Sequence, residues 1–182
     1  MKRMEQKSKY TSPWPLSLRV KKLLWDFTWS VCCRTTPKPF NIWRVFIFKL
    51  FGGRVDGHVF IHQSARIHFP WNVTLFDRAS LGERCWIYSL GSIQIGSGAT
   101  IAQEVFLCGG SHDFSSPKRA LIVGNIDIGE DAFISARVTI LPDVNIGKNT
   151  IVGTGSVVTK SVQPCLVVAG NPAVTIKSKF ML

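Results

Sequence analysis

The sequence predicts an all-β solenoid, and three observations predict it. An apolar residue recurs every six positions, a small or β-branched residue follows four places later, and the rhythm breaks widely only once. Val158, Val152, Ile146, Ile140, Ile134 and Ile128 stand six residues apart, and Leu107, Ile101 and Ile95 repeat the spacing upstream. Val162, Ser156, Thr150, Val144, Val138, Ala132, Ser111, Val105 and Ala99 occupy the fourth place after these anchors. A period of six is neither that of a helix nor that of an unbroken strand. In an extended segment, alternation puts the anchor and the residue four later on one side, with a bend between units. Three segments make a triangular coil, which buries its apolar row only by stacking on its neighbours.

Taken in order, anchors at Val55, Ile61 and Ile67 and at Leu75, Leu81 and Ile87 extend the pattern toward the N-terminus. Five coils are expected, at 55–74, 75–94, 95–112, 128–145 and 146–163, with two-residue insertions at 73–74 and 93–94. A sandwich of short strands is the competing architecture. Its loops would vary in length, whereas only residues 113–127 depart from this pattern by more than two residues. Residues 164–182 are expected as a terminal turn and tail, with "AGNPA" (169–173) as the turn that ends the solenoid.

Residues 1–54 differ in character from the rest. They hold twelve Lys or Arg against Glu5 and Asp26, a net of +10, while residues 55–182 carry a net of only +1. Val20, Leu23, Leu24, Phe27 and Val31 fall at helical spacing within 18–33, with Arg19, Lys22 and Asp26 on another face, and "PKP" (37–39) ends that helix. A second apolar helix is expected at 41–51, interrupted by Arg44 and Lys49. No apolar run approaches the roughly 20 residues that cross a bilayer, and no signal-peptide cleavage pattern is present. Two compatible readings follow: a cap on the open end of the solenoid, or an amphipathic segment lying on an anionic membrane surface. A nucleic-acid surface would place its basic residues on the folded body with a recognisable motif, and none is present.

Five cysteines without metal-ligand spacing or a secretory signal suggest a reducing cytoplasm. Cys85 takes a small inward position, where a buried thiol is expected. His58, His62 and His68 are expected as exposed turn residues, so no metal is expected. His112 stands apart, because it follows "GGS" where the rhythm breaks. A loop on a rigid scaffold can present groups that a packed face cannot, and histidine titrates nearest neutral pH, which suits a general base. Asp113 adjoins it and could orient the imidazole, contact an acceptor or cap a turn. Backbone amides of "CGGS" could hold an oxyanion.

The hexapeptide units, "SHD" (111–113), "FPWN" (69–72), "WIYSL" (86–90) and "VVTKSVQPCLVVAGNPAVTIK" (157–177) resemble the hexapeptide-repeat acyltransferases, specifically their colanic acid acetyltransferase type, over about residues 40 to 180. The resemblance implies a left-handed parallel β-helix, a homotrimer, and direct acetyl transfer from acetyl-CoA to a hydroxyl with His112 as base. It also implies that Phe133 and Ala136 lie beside the pantetheine arm of acetyl-CoA, with Thr154 lining it. Thr159 and Lys160 fall near the nucleotide end, and Lys177 is a second basic contact. A lysine there meets the 3′-phosphate as a point charge. Trp86, Tyr88 and Arg119 are candidates to line the acceptor pocket. The expected acceptor is a sugar of an exopolysaccharide precursor, free or lipid-linked, met in the cytoplasm or at the inner face of the membrane. Acetylation of a small soluble acceptor (free sugar, serine or drug), a silent β-helix scaffold and a zinc hydratase are the alternatives.

Overall fold

Three parallel sheets, one per side of a triangular prism, are what the six-residue spacing builds. The computed structural model describes residues 2–4, 12–115 and 119–179. The first face stacks Arg54–Val55, Val73–Leu75, Ile93–Ile95, Ile126–Ile128 and Val144–Ile146. The second stacks Phe60–Ile61, Ser80–Leu81, Thr100–Ile101, Phe133–Ile134 and Ile151–Val152, then Leu166–Gly170. The third stacks Arg66–Ile67, Trp86–Tyr88, Phe106–Cys108, Thr139–Ile140 and Val157–Val158. Anchors sit directly above one another, as in Ile61↔Leu81↔Ile101↔Ile134↔Val152, and they merge into one continuous core. Cys85 is buried within it, as its position in the repeat requires.

Two backbone devices turn the chain between faces. The third residue after an anchor adopts the left-handed conformation in most bends, including Arg84 (φ 55), Asp131 (φ 51) and Asn149 (φ 58). Glycine serves a different need, directly after the anchor. At Gly129 a Cβ would lie 2.5 Å from the backbone nitrogen of Lys148 in the next coil. The "IG" dipeptides thus mark close approach between coils rather than the left-handed corner.

Several boundaries move from those expected. Residues 73–74 and 93–94 belong to strands, and the extra residues of the first two coils lie just before them, in the 3-10 turn Pro70–Asn72 and in 89–92. The third coil leaves the prism after Cys108, so Ser111 pairs with Ile122 in an antiparallel arm instead of entering the core. The chain rejoins the prism at Ile126, in register with Ile93. At the other end, Leu166–Gly170 adds a rung to the second face before Ala173–Ser178 folds back antiparallel beside it as the last strand of that sheet. "AGNPA" is the turn between these two strands.

At the opposite end lie α1 (Leu16–Thr28), continued by a π-helical turn (Trp29–Cys33), and α2 (Asn41–Leu50). Trp25 and Trp29 are buried against the first coil, their indole nitrogens donating to the carbonyls of Ile67 (2.7 Å) and Ala65 (3.0 Å). The periodic stripe Val20, Leu23, Leu24, Phe27 and Val31 points the other way and is exposed. Arg44, which looks in the sequence like an interruption, is fully buried. Its guanidinium donates to the carbonyls of Ile61 (2.8 Å), Pro37 (2.9 Å) and Lys38 (2.8 Å) and to the Thr36 hydroxyl (2.9 Å). Asn41 donates from its side-chain amide to the Val59 carbonyl (2.7 Å) and accepts from the Ile61 amide (2.9 Å). These side chains supply hydrogen-bond partners that a coil below the first would otherwise provide.

Candidate active site

The break in the rhythm folds into an arm at one edge of the prism. Gly110–His112 pairs antiparallel with Leu121–Val123, and Lys2–Met4 adds a third strand to Leu121–Val123. A polar loop is what the sequence suggests here, yet Leu121, Ile122 and Val123 are buried. Leu121 and Val123 join Phe69 and Leu90 in a second small core, with Met4, Trp14, Leu18, Trp71 and Tyr88 packed on it. The bends at 69–72, 89–92 and 109–125 stack at the same edge, so insertions in three successive coils together build the platform that holds the arm.

His112 stands exposed at the end of its strand, with Nδ1 2.8 Å from the Arg119 carbonyl oxygen. A carbonyl only accepts, so in the neutral ring Nδ1 carries the proton and Nε2 keeps a free lone pair. Arg119 acts here through its backbone, at φ 43. Asp113 is buried and caps the following turn, its Oδ1 accepting from the Ser115 amide (3.0 Å) and hydroxyl, while Oδ2 pairs with Arg3 at 3.1 Å. The Ser115 hydroxyl and amide, with Arg3 beside them, hold its carboxyl below the usual range. Of the three roles open to Asp113, turn capping is the one these contacts describe.

Tyr88 lies at the root of the arm, in register with Cys108, and a Cβ on Gly110 would lie 3.4 Å from its ring. Trp86 lies farther from the arm. It stacks on Phe106 at 4.7 Å and lines a cleft with Lys22, Trp25, Arg34 and His68. The Cys108 thiol donates to the Gly110 carbonyl, and burial pushes its pKa up, which keeps it protonated.

The residues matched to the donor separate into two groups. Phe133 lies on the second face, Ala136 and Thr154 lie in the bends that follow it, and Lys177 lies on the last strand of that sheet. Thr159 and Lys160 lie across the third face, on the edge that carries the arm. Thr154 and Thr159 are five residues apart, roughly 16 Å of extended chain. One chain therefore does not gather all of them around His112.

Among the described residues, no three His, Cys, Asp or Glu side chains converge as a metal site requires. The three early histidines differ from one another. His58 is exposed, His62 is buried with Nδ1 at 2.8 Å from the Ser64 hydroxyl, and His68 packs between Phe69 and Tyr88. The expectation of exposed turn residues holds for His58 alone. Arg3 escapes sequence reading because it reaches Asp113 through a tertiary contact that no local spacing announces, whereas Ser115, two residues from Asp113, makes a local turn contact that an Asp-x-Ser pattern signals.

The family described as Bacterial transferase hexapeptide (six repeats) matches residues 125–160. The chain is 37% identical over 160 residues to the protein of Escherichia coli (strain K12) named colanic acid biosynthesis acetyltransferase WcaF, covering 88% of each. Among solved structures, a maltose O-acetyltransferase from Clostridium difficile 630 superposes with TM-score 0.82 at 24% identity, over 90% of this chain and 89% of that one. The hexapeptide-repeat-containing acetyltransferase VCA0836 of Vibrio cholerae, complexed with acetyl-coenzyme A, gives 0.84 at 19% identity over 94% of each.

Proposed function

This chain belongs to the hexapeptide-repeat acyltransferases of the colanic acid biosynthesis acetyltransferase type, and from that premise we propose that it moves the acetyl group of acetyl-CoA onto a sugar hydroxyl, with His112 as general base. The observation that carries the assignment of the base is the Nδ1 contact to the Arg119 carbonyl. It holds the tautomer whose Nε2 accepts a proton. As the acceptor oxygen attacks the thioester carbonyl, Nε2 takes the hydroxyl proton. The tetrahedral oxyanion then collapses with loss of the CoA thiolate, and the imidazolium returns the proton to the departing sulfur. No acyl-enzyme is required, which agrees with a Cys108 thiol held protonated. Asp113 holds the turn at Ser115 that follows His112.

The donor would lie against Phe133, Ala136 and Thr154 of one chain, with Lys177 from the same group and Thr159 and Lys160 from the other group toward its nucleotide end. Exposed or half-buried small side chains in the bends leave room for an extended pantetheine. Because these groups flank opposite edges of the third face, the reading requires a homotrimer in which the donor edge of one subunit meets the His112 edge of the next. Tyr88 at the arm's root suits contact with a saccharide. The cytoplasm, where acetyl-CoA is available, is the compartment this reading needs, and the unpaired Cys32, Cys33, Cys85, Cys108 and Cys165 agree with it.

His112→Ala tests the assignment. Steady-state turnover should fall by about 10²- to 10⁴-fold, the usual worth of a positioned base, with acetyl-CoA affinity by calorimetry unchanged. Turnover within a few fold of wild type would remove His112 from the mechanism.

A further inference from the structure

α1 turns its apolar stripe away from the body it packs on. Leu16, Val20, Leu23, Leu24, Phe27 and Val31 share one helical face, and all are exposed, Leu23 and Phe27 at 68%. The solenoid receives Trp25 and Trp29 from the opposite side. α2 divides in the same way, with Ile47 and Phe48 buried, while Phe46, Leu50 and Ile42 stay exposed, the last at 84%. The two elements meet where the Trp43 indole donates to the Cys32 carbonyl at 2.8 Å and stacks on Phe46. Two helices thus each use one face to close the solenoid and leave a second apolar face uncovered. Soluble proteins rarely leave contiguous apolar surface of this kind open unless something docks there.

We propose that the outward faces of α1 and α2 dock on an anionic lipid bilayer, lying in its interface without crossing it. Charge selects this occupant. Residues 1–54 carry twelve basic residues against Glu5 and Asp26; Arg44 is buried and Arg3 pairs with Asp113 at the arm, and Asp26 is paired with Lys22. Arg19 and Lys49 are exposed on these helices, and Arg34 and Lys38 on the connection between them. A second copy of the chain would bring two such surfaces together and repel, whereas anionic headgroups attract them. Length and polarity together exclude crossing: α1 with its π-helical continuation reaches 18 residues and carries Arg19, Lys21, Lys22 and Asp26, and among the described residues no helix is long and apolar enough to span a membrane. A short helix with an apolar stripe and basic flanks lies in the interface plane, its aromatic and aliphatic side chains at the acyl boundary. For an enzyme whose saccharide acceptor is carried on lipid, docking would place catalyst and acceptor in the same plane. The docking surface itself is independent of the acetyl-transfer reading.

Co-sedimentation of the full chain with vesicles tests this directly. Vesicles of phosphatidylcholine with about one third phosphatidylglycerol should bind at least about tenfold more tightly than phosphatidylcholine alone, since each basic group near the surface contributes about 1 kcal/mol. Binding should weaken at high salt. The double variant Leu23→Glu/Phe27→Glu should lose at least about tenfold in binding while keeping its circular dichroism, melting transition and sedimentation mass. Equal binding to neutral and anionic vesicles, no binding to either, or full binding by the double variant would overturn the proposal. So would a lower sedimentation mass for that variant, which would mark the stripe as a contact between copies of the chain.

Discussion

Two kinds of edge coexist on one prism. At the bends from first to second face and from second to third, the chain turns in four residues, with a left-handed residue at a fixed place from the second coil onward, as at Arg84, Glu104 and Arg137. At the bends from third face to first, the first three coils carry extra residues, and the third carries the whole arm. The regular edges are held by backbone bonds between coils, such as Asn149 N to Glu130 O at 2.7 Å. The irregular edge is sewn by polar side chains. Asn72 donates to the carbonyls of Ser89 and Leu90, Ser89 bridges both backbone groups of Phe69, and Ser92 and Asn125 lean on the Asn125 amide oxygen and the Asp143 carboxylate. A solenoid thus tolerates insertions where side chains replace the lost ladder, and the edge released from the repeat is the one that presents His112.

The largest contrast should come from a carbon added at the regular edge against a hydroxyl removed from the irregular one. At the regular edge, Gly129→Ala drives a Cβ into the Lys148 backbone at 2.5 Å, and we expect a loss of about 3 kcal/mol by denaturant unfolding, the upper range for overpacking. Ser92→Ala, an exposed position on the irregular edge whose hydroxyl makes none of these bonds, should stay within about 0.5 kcal/mol. Equal losses at both would erase the distinction between the edges.

Acid should act on the irregular edge through His68. Burial, assisted by Lys22, pushes its pKa down to about 4 while Asp26 opposes. The unfolded chain, with an ordinary histidine near 6.5, binds the proton first, so stability present above pH 6.5 is lost as pH falls toward 4. The difference should be on the order of 2 kcal/mol after allowance for partial exposure. Melting temperatures of His68→Phe should fall less steeply than wild type across that window, and parallel slopes would exclude His68 as the source.

A smaller effect is expected from the stitching itself. Asn72→Ala removes both donors to the Ser89 and Leu90 carbonyls and should cost about 1–2 kcal/mol, as for half-buried acceptors left without a partner. Because the change reaches the platform under the arm, hydrogen exchange at 110–112 and 121–123 should rise while that at 144–158 does not. Uniform exchange changes in both regions would show that the edge is not a separate unit.

The sequence by itself determined the prism. Six-residue spacing leaves few other ways to bury Leu75, Leu81, Ile87 and their successors, and the break at 113–127 located the arm because it is the one place where that spacing fails by more than two residues. Local pattern also found the two N-terminal helices, and the match of "SHD" singled out His112. Tertiary structure decided what local pattern could not encode. The stripe of α1 gave the helix but not its orientation, since the indole hydrogen bonds of Trp25 and Trp29 to coil carbonyls outweigh the choice that apolar count would make. Arg44 read as an interruption because a buried guanidinium is expected only beside partners, and its carbonyl partners appear only once the first coil is left open beneath it. Lys2–Met4 joins Leu121–Val123, and Arg3 reaches Asp113, across more than a hundred residues of chain. The tautomer of His112 depends on a carbonyl seven residues away, brought into reach only by the turn between the arm's strands. Periodicity records what each residue must avoid, which is water on the inner side; hydrogen-bond partners are fixed by proximity in space, and that proximity exists only after the coils have stacked.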